Sequence, residues 1–189
     1  MPKMIRIIAL LLTAVVSVGL CSTGEKLSEL TIVQGAGFDY GEDGVVLTVQ
    51  YLDLARGNGK IDGIAGNITA TVSAAGRDAK EALSAVQSQL ACPLYLSQCK
   101  LIVLGGNCGR EELDALCRMM MQESKLRLNT AVVLTDSARQ VMEHAQQNAI
   151  VPAEAAARLW RREGKTVTVN QLLGMYWRGD YAALTDRKA

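Results

Sequence analysis

The sequence predicts an α+β fold: a mixed, mostly antiparallel sheet with helices packed on it, preceded by a signal peptide. Three observations predict it. Two β-rich segments, Thr31–Phe38 and Val45–Leu52, flank Asp43-Gly44, the strongest short hairpin signal. Farther on, segments of helical period alternate with short apolar strands. At the front, Lys3 and Arg6 precede an uncharged apolar run from Ile7 to Leu20.

Thr31–Phe38 is apolar and β-rich, and reads as a strand containing Gly35 and Gly37. Val45, Leu47, Val49 and Tyr51 alternate with Thr48 and Gln50, which predicts an antiparallel strand with one wet face. Ala55–Gly66 is rich in glycine and charge and reads as a loop. Asn67–Ala74 alternates again and gives a third strand. Asp78–Leu90 is helical, with Ala79, Leu83, Val86 and Leu90 on one stripe, and Pro93 ends it. Leu101–Leu104 is a short buried strand, closed by Gly105-Gly106-Asn107, and Cys99 is read as part of an apolar strand. Arg110–Glu123 is a helix with Leu113, Leu116, Cys117 and Met120 inward. Thr130–Leu134 is a strand, and Ser137–Gln147 a helix capped by Ser137. Pro152–Glu163 and Asn170–Trp177 are two more helices, broken by Gly164-Lys165-Thr166, with Thr168 or Asn170 capping the second. Arg178–Ala189 is polar and expected to fray. The predicted order is β-β-β-α-β-α-β-α-α.

The head sets the compartment. A basic start stays on the cytoplasmic side, and the apolar run of about fourteen residues has the length of a secretory core. A spanning helix needs roughly 17–25 apolar residues, so a signal peptide is favoured over a permanent anchor. Cys21 follows at once, then the polar stretch Ser22–Lys26. A cysteine in this place resembles the lipid-bearing residue of bacterial lipoproteins. Its thiol would take a diacylglycerol, each buried CH2 contributing about 0.8 kcal/mol to membrane binding. Leu20 stands where that pattern has a small residue, which leaves an uncleaved anchor as the second reading. The expected organisation is a lipoprotein signal peptide over 1–20, a folded domain over 21–175, and over 176–189 a polar tail or the start of a second domain.

Composition excludes several function classes. The 189 residues carry 20 basic and 19 acidic side chains, for a formal charge of +1. That balance gives no excess to neutralise phosphates, so nucleic acid is not an expected partner. No polybasic run offers itself to anionic lipid, so attachment is expected from the N-terminus. Aromatics make up 4% of the chain, with a single Phe, which leaves few stacking platforms. Cys92, Cys99, Cys108 and Cys117 lack the close pairs of a zinc site, and no metal is expected. Buried free thiols are expected rather than disulfides.

Candidate motifs have plain readings as well as functional ones. Gly35-Ala36-Gly37 is followed by no helix, so it is not a dinucleotide loop, and close strand packing accounts for it. Gly105–Gly109 joins a strand to a helix and could hold an anion, but a plain turn is favoured. His144 is the one histidine and has no nucleophile elbow to serve, so no catalytic residue is assigned. Met119–Met121 at helical spacing serve core and rim. Asp39 is read as a cap for the turn before Tyr40. Lys100 and Arg127 each border an apolar strand and are the candidate partner contacts, with an ion pair as the alternative.

Three blocks then carry a family resemblance. Cys21–Asp39 reads CSTGEKLSELTIVQGAGFD, Leu94–Gly105 reads LYLSQCKLIVLG, and Leu126–Thr130 reads LRLNT before an apolar strand. Their order and content resemble the N-terminal domain of the C subunit of Ger-type spore germinant receptors, the Ger(x)C lipoprotein family. In the first block Leu30, Ile32, Val33, Gly35, Gly37, Phe38 and Asp39 fill the family's places. In the second Tyr95, Ser97, Lys100 and Gly105 match while Gln98 replaces His; in the third Arg127 and Asn129 match. Ser22 stands where the family has Trp. The resemblance covers roughly Cys21 to Leu173. It implies a non-enzymatic subunit of a germinant receptor, held on the extracytoplasmic face of the inner spore membrane by lipid on Cys21. Its implied partners are integral-membrane A and B subunits. No cofactor is implied beyond the covalent lipid. The alternative reading is an exported, lipid-anchored solute- or peptide-binding module.

Overall fold

The computed structural model describes residues 30–53, 68–123, 125–144, 149–186 and 188. The chain clusters into two units, Met1–Leu30 and Thr31–Ala189, and the sheet and helices below belong to the second. The expected signal peptide, Cys21 and the whole of the glycine-rich Ala55–Gly66 loop lie outside the described residues.

Strands β1 (Thr31–Gly41) and β2 (Gly44–Leu52) form the predicted hairpin. Gly41 pairs with Gly44, so the two loop residues are Glu42 and Asp43, one position earlier than the Asp-Gly reading. Strand β3 (Thr69–Gly76) pairs antiparallel with β2. Helix α1 (Ala79–Ser88) follows, its N-cap Asp78 accepting a hydrogen bond from the Glu81 N–H at 2.8 Å. A two-residue strand β4 (Leu94–Tyr95) and a 3-10 turn (Leu96–Gln98) lead into β5 (Leu101–Gly106). Helix α2 (Arg110–Gln122), strand β6 (Ala131–Leu134) and helix α3 (Ala138–His144) complete the middle of the domain. Helix α4 (Pro152–Arg162) begins on a proline, whose missing N–H costs nothing in the first turn. Then come β7 (Val167–Thr168), α5 (Val169–Arg178) and α6 (Ala182–Thr185).

The sheet runs β3-β2-β1-β5-β6-β7, with β4 beside the start of β1. Strands β1, β5 and β6 are parallel, whereas β2, β3 and β7 join antiparallel. The antiparallel ladders carry most of the paired residues, so the mixed sheet is the one expected. Its central strands are apolar on both faces because both faces are covered. On one side Val33, Phe38, Leu47 and Ile102 pack with α1, α2, α5 and α6. On the other, Leu101, Val103, Ala131 and Val133 pack with α3 and α4.

That second layer overturns the expected wet face of β2. Thr48 is fully buried and Gln50 is 2% exposed. Thr48 shares a hydrogen bond with Ser73 on β3. Gln50 donates from Nε2 to the Met142 carbonyl at 3.0 Å and accepts from the Ala153 N–H at 2.9 Å. One amide thus ties the last turn of α3 to the first turn of α4. The layer lies close because β1 presents glycines to it. A Cβ at Gly35 would stand 2.8 Å from Ala153 Cβ, and one at Gly37 3.0 Å from Ala138 Cβ.

Arg178–Ala189 does not simply fray. Tyr181 and Leu184 bury themselves in the core around α6, and the Tyr181 hydroxyl donates to Asp114 on α2. Polar spacing in the sequence hid two apolar anchors within this stretch.

Candidate functional site

The parallel strands have a common starting end, and it gathers the candidate partner contacts. Thr31 begins β1, Leu101 begins β5 and Ala131 begins β6. Lys100 stands just before β5, its N–H bonded to the Gln34 carbonyl at 2.8 Å and its carbonyl accepting from Ala131 at 3.2 Å. Arg127 lies in the segment that leads into β6. The backbone of that segment is held from several sides. Ser97 donates to the Lys125 carbonyl, Asn170 to the Leu128 carbonyl, and Thr130 Oγ1 to the Cys99 carbonyl. With the backbone fixed, the Arg127 side chain is left exposed, while Lys100 is half-buried.

Helix α4 closes the site. Ala153, Ala156 and Ala157 face the sheet. Glu154, Arg158 and Arg161 follow at three- and four-residue spacing along its outer side. Arg158 pairs with Glu154 at 2.8 Å, and Arg161 reaches the Asn129 carbonyl at 3.4 Å. Lys100, Arg127, Arg158 and Arg161 with Glu154 therefore line one cleft of about 200 Å³. Four cations face one carboxylate there. Among the described residues neither Lys100 nor Arg127 makes a salt bridge, so the ion-pair alternative is not the observed state. Sequence reasoning named Lys100 and Arg127 but missed Arg158 and Arg161. Their signal was the i, i+3, i+4 spacing on α4, which taken alone reads as an ordinary solvated face.

The other candidates resolve differently. The Asp39 carboxylate does not cap its own turn. It accepts from the N–H groups of Ala138 and Arg139, each at 2.7 Å, and so caps α3 across 99 residues of sequence. Ser137 joins it, its hydroxyl accepting from Gln140 N–H at 3.3 Å. At the start of α2 the Glu112 carboxylate bonds back to the Gly109 N–H at 3.0 Å. With Glu111 beside it, that turn already holds negative charge and repels an anion. Met120 is buried, Met119 packs on the core rim and Met121 is exposed, as helical spacing predicts. His144 is exposed at the end of α3.

Three of the thiols, Cys99, Cys108 and Cys117, are poor candidates for chemistry. Burial pushes Cys99 up to about 12, Cys108 to about 12 and Cys117 to about 11. A neutral thiol is neither a good nucleophile nor a metal ligand. Among the described residues no group of three or more His, Cys, Asp or Glu is placed to hold a metal. An apolar cavity of about 40 Å³ lies between the sheet and α2, lined by Phe38, Leu47, Ile102 and Met120 among others. That is far below the volume of a small-molecule pocket, roughly 300–1,000 Å³. No described helix is long and apolar enough to cross a membrane.

A family model described as the spore germination protein N-terminal domain matches residues 24–178. No curated protein and no solved structure matches the chain.

Proposed function

Because this chain belongs to the spore germination protein N-terminal domain family and so serves spore germination, we propose that it is the lipid-anchored C-type subunit of a germinant receptor. The observation that carries the reading is the family match over nearly all of the folded unit, standing directly after a lipoprotein-like head. Cys21 bears the lipid, and the domain docks with integral-membrane A and B subunits at the inner spore membrane.

The role is placement rather than bond chemistry. Acyl chains on Cys21 confine the domain to the membrane plane. Confinement raises its effective concentration beside its membrane partners without any added contact. Two or more chains are needed for a stable hold, because a single chain binds only marginally.

The test is fatty-acid labelling in a sporulating host. The wild-type chain takes up label and sediments with membranes. Cys21→Ala loses the label, leaves the membrane fraction and slows germination. Equal labelling of both, or no label on the wild type, refutes the anchor.

A further inference from the structure

The cationic cleft and the chain's point of entry into the sheet share one end of the domain. Thr31 opens β1, and Lys100 and Thr130 stand just before the parallel strands β5 and β6. The end of β2 is there too, because β2 runs antiparallel to β1. Leu52, its last residue, pairs with Thr69. Next to Thr69, the Ile68 N–H donates to the Ile150 carbonyl at 3.2 Å, which brings the start of α4 to the same end.

This end is amphipathic as well as basic. Leu128 is 56% exposed, Ile150 47% and Leu159 38%. A groove of about 530 Å³ runs along α4, lined by Ile150, Leu159, Arg158 and Arg162, and it shares Glu154 and Arg158 with the cleft. Exposed aliphatic side chains set among arginines are the composition of a surface that rests at a lipid interface. The opposite end carries the Glu42-Asp43 hairpin loop and the Glu111-Glu112 pair at the start of α2. Sequence spacing concealed the basic patch, because its four cations come from three separated segments.

We propose that this end is a membrane-facing surface that binds the phosphate headgroups of anionic phospholipid. Lys100, Arg127, Arg158 and Arg161 take the phosphates, and Leu128, Ile150 and Leu159 rest in the headgroup layer. The proposal rests on the anchored reading given above. Ten residue steps lead from Cys21 to Thr31, and at roughly 3.3–3.6 Å each they reach at most about 36 Å. That bound keeps Thr31, at the entry end of the domain, within reach of the leaflet that holds Cys21. Charge then selects the orientation, since surface potential acts only within about 10 Å at 0.1 M salt. The acidic hairpin is repelled and the basic end is drawn down. An acidic segment of a partner protein would use the same cations, but it would not explain the exposed aliphatic groups beside them at the tethered end.

The test uses the full chain, purified in detergent and reconstituted into vesicles. One set is pure phosphatidylcholine, and the other contains one-third phosphatidylglycerol. Amide hydrogen exchange is read for Lys125–Asn129 and, as the control, for the Gly41–Gly44 hairpin. Exchange at Lys125–Asn129 slows by at least about fivefold in the anionic vesicles, the factor one cation near such a leaflet supplies. The hairpin does not change, and 0.5 M NaCl abolishes the difference. The double variants Lys100→Gln/Arg127→Gln and Arg158→Gln/Arg161→Gln each remove most of it. The second pair lies wholly on an exposed helix side, so it tests the surface even where the first disturbs packing. A chain that floats with both vesicle types yet shows no difference overturns the inference and leaves the anchor standing. A chain that does not float with either sinks the anchor reading, and this one with it. Equal slowing in phosphatidylcholine upon adding inorganic phosphate marks a free-anion site and overturns the lipid assignment.

Discussion

Replacing Gln50 with Leu removes the amide that joins α3 to α4. The exchange is close in size, so the main loss is polar. It leaves the Met142 carbonyl and the Ala153 N–H without their partner in a site where Gln50 itself is 2% exposed. Each buried group left unpaired costs about 1–3 kcal/mol. Two such groups, offset by about 1 kcal/mol from the added apolar burial, give a net loss of about 3 kcal/mol. For a domain of this size that lowers Tm by about 6–12 °C. Urea unfolding followed by circular dichroism measures the free energy, and hydrogen exchange in α3 and α4 locates it. Gln50→Glu supplies an internal check. The introduced carboxylate still accepts from Ala153, but at neutral pH it faces the Met142 carbonyl with no proton to donate. Protonation restores the donor, so the stability of that variant rises relative to wild type as pH falls. A loss below about 1 kcal/mol for Gln50→Leu, or no pH trend for Gln50→Glu, refutes the assignment of Gln50 as the tie between the two helices.

Two further outcomes follow from the packing. Asp39→Ala strips two N–H groups of α3 of their acceptor and costs about 1–2 kcal/mol, read as faster exchange at Ala138 and Arg139 with the β1–β2 hairpin unaffected. The buried thiols make the fold sensitive to alkali: in the unfolded chain they ionise near 9, whereas Cys99 and Cys108 are held near 12 and Cys117 near 11. The folded state binds more protons over that window, so stability is complete below about pH 9 and falls as pH rises, by at most about 1.4 kcal/mol per pH unit for Cys99 and by less for the more solvent-screened Cys108 and Cys117. Cys99→Ala flattens the slope measured between pH 8 and 10.5, and a wild-type urea midpoint that stays constant over that range contradicts the burial.

Local rules carried far where a residue's fate depends on its neighbours in sequence. The inward stripe of α2, Leu113, Leu116, Cys117 and Met120, is read from helical period alone and is the buried set observed. Thr168 caps α5 as its position suggests, with Gln171 returning the bond. The same rules fail where a distant element decides. Thr48 and Gln50 alternate with apolar residues as a wet face would, yet α3 and α4, nearly 100 positions later, cover them. Asp39 has the look of a turn residue because its true partner, the start of α3, is invisible to local reasoning. Strand β7 is two residues long, too short to leave a pattern. Lys100 and Arg127 stood out beside their strands, but their union with Arg158 and Arg161 is a product of topology, because β5, β6 and α4 converge at one end.

The contact of β1 with α3 and α4 has one further consequence. Its members are Gly35 and Gly37 on the strand and Ala138, Ala153 and Met142 on the helices. A bulky intrusion into most cores can be relieved by trimming the residue opposite. Here the strand side has only hydrogens to offer, and two of its three opposing groups are single methyls. Relief must come from shifting whole helices, which would also pull Gln50 and Asp39 from their partners. The seam therefore admits almost no compensated variation, and its small residues must change together or not at all.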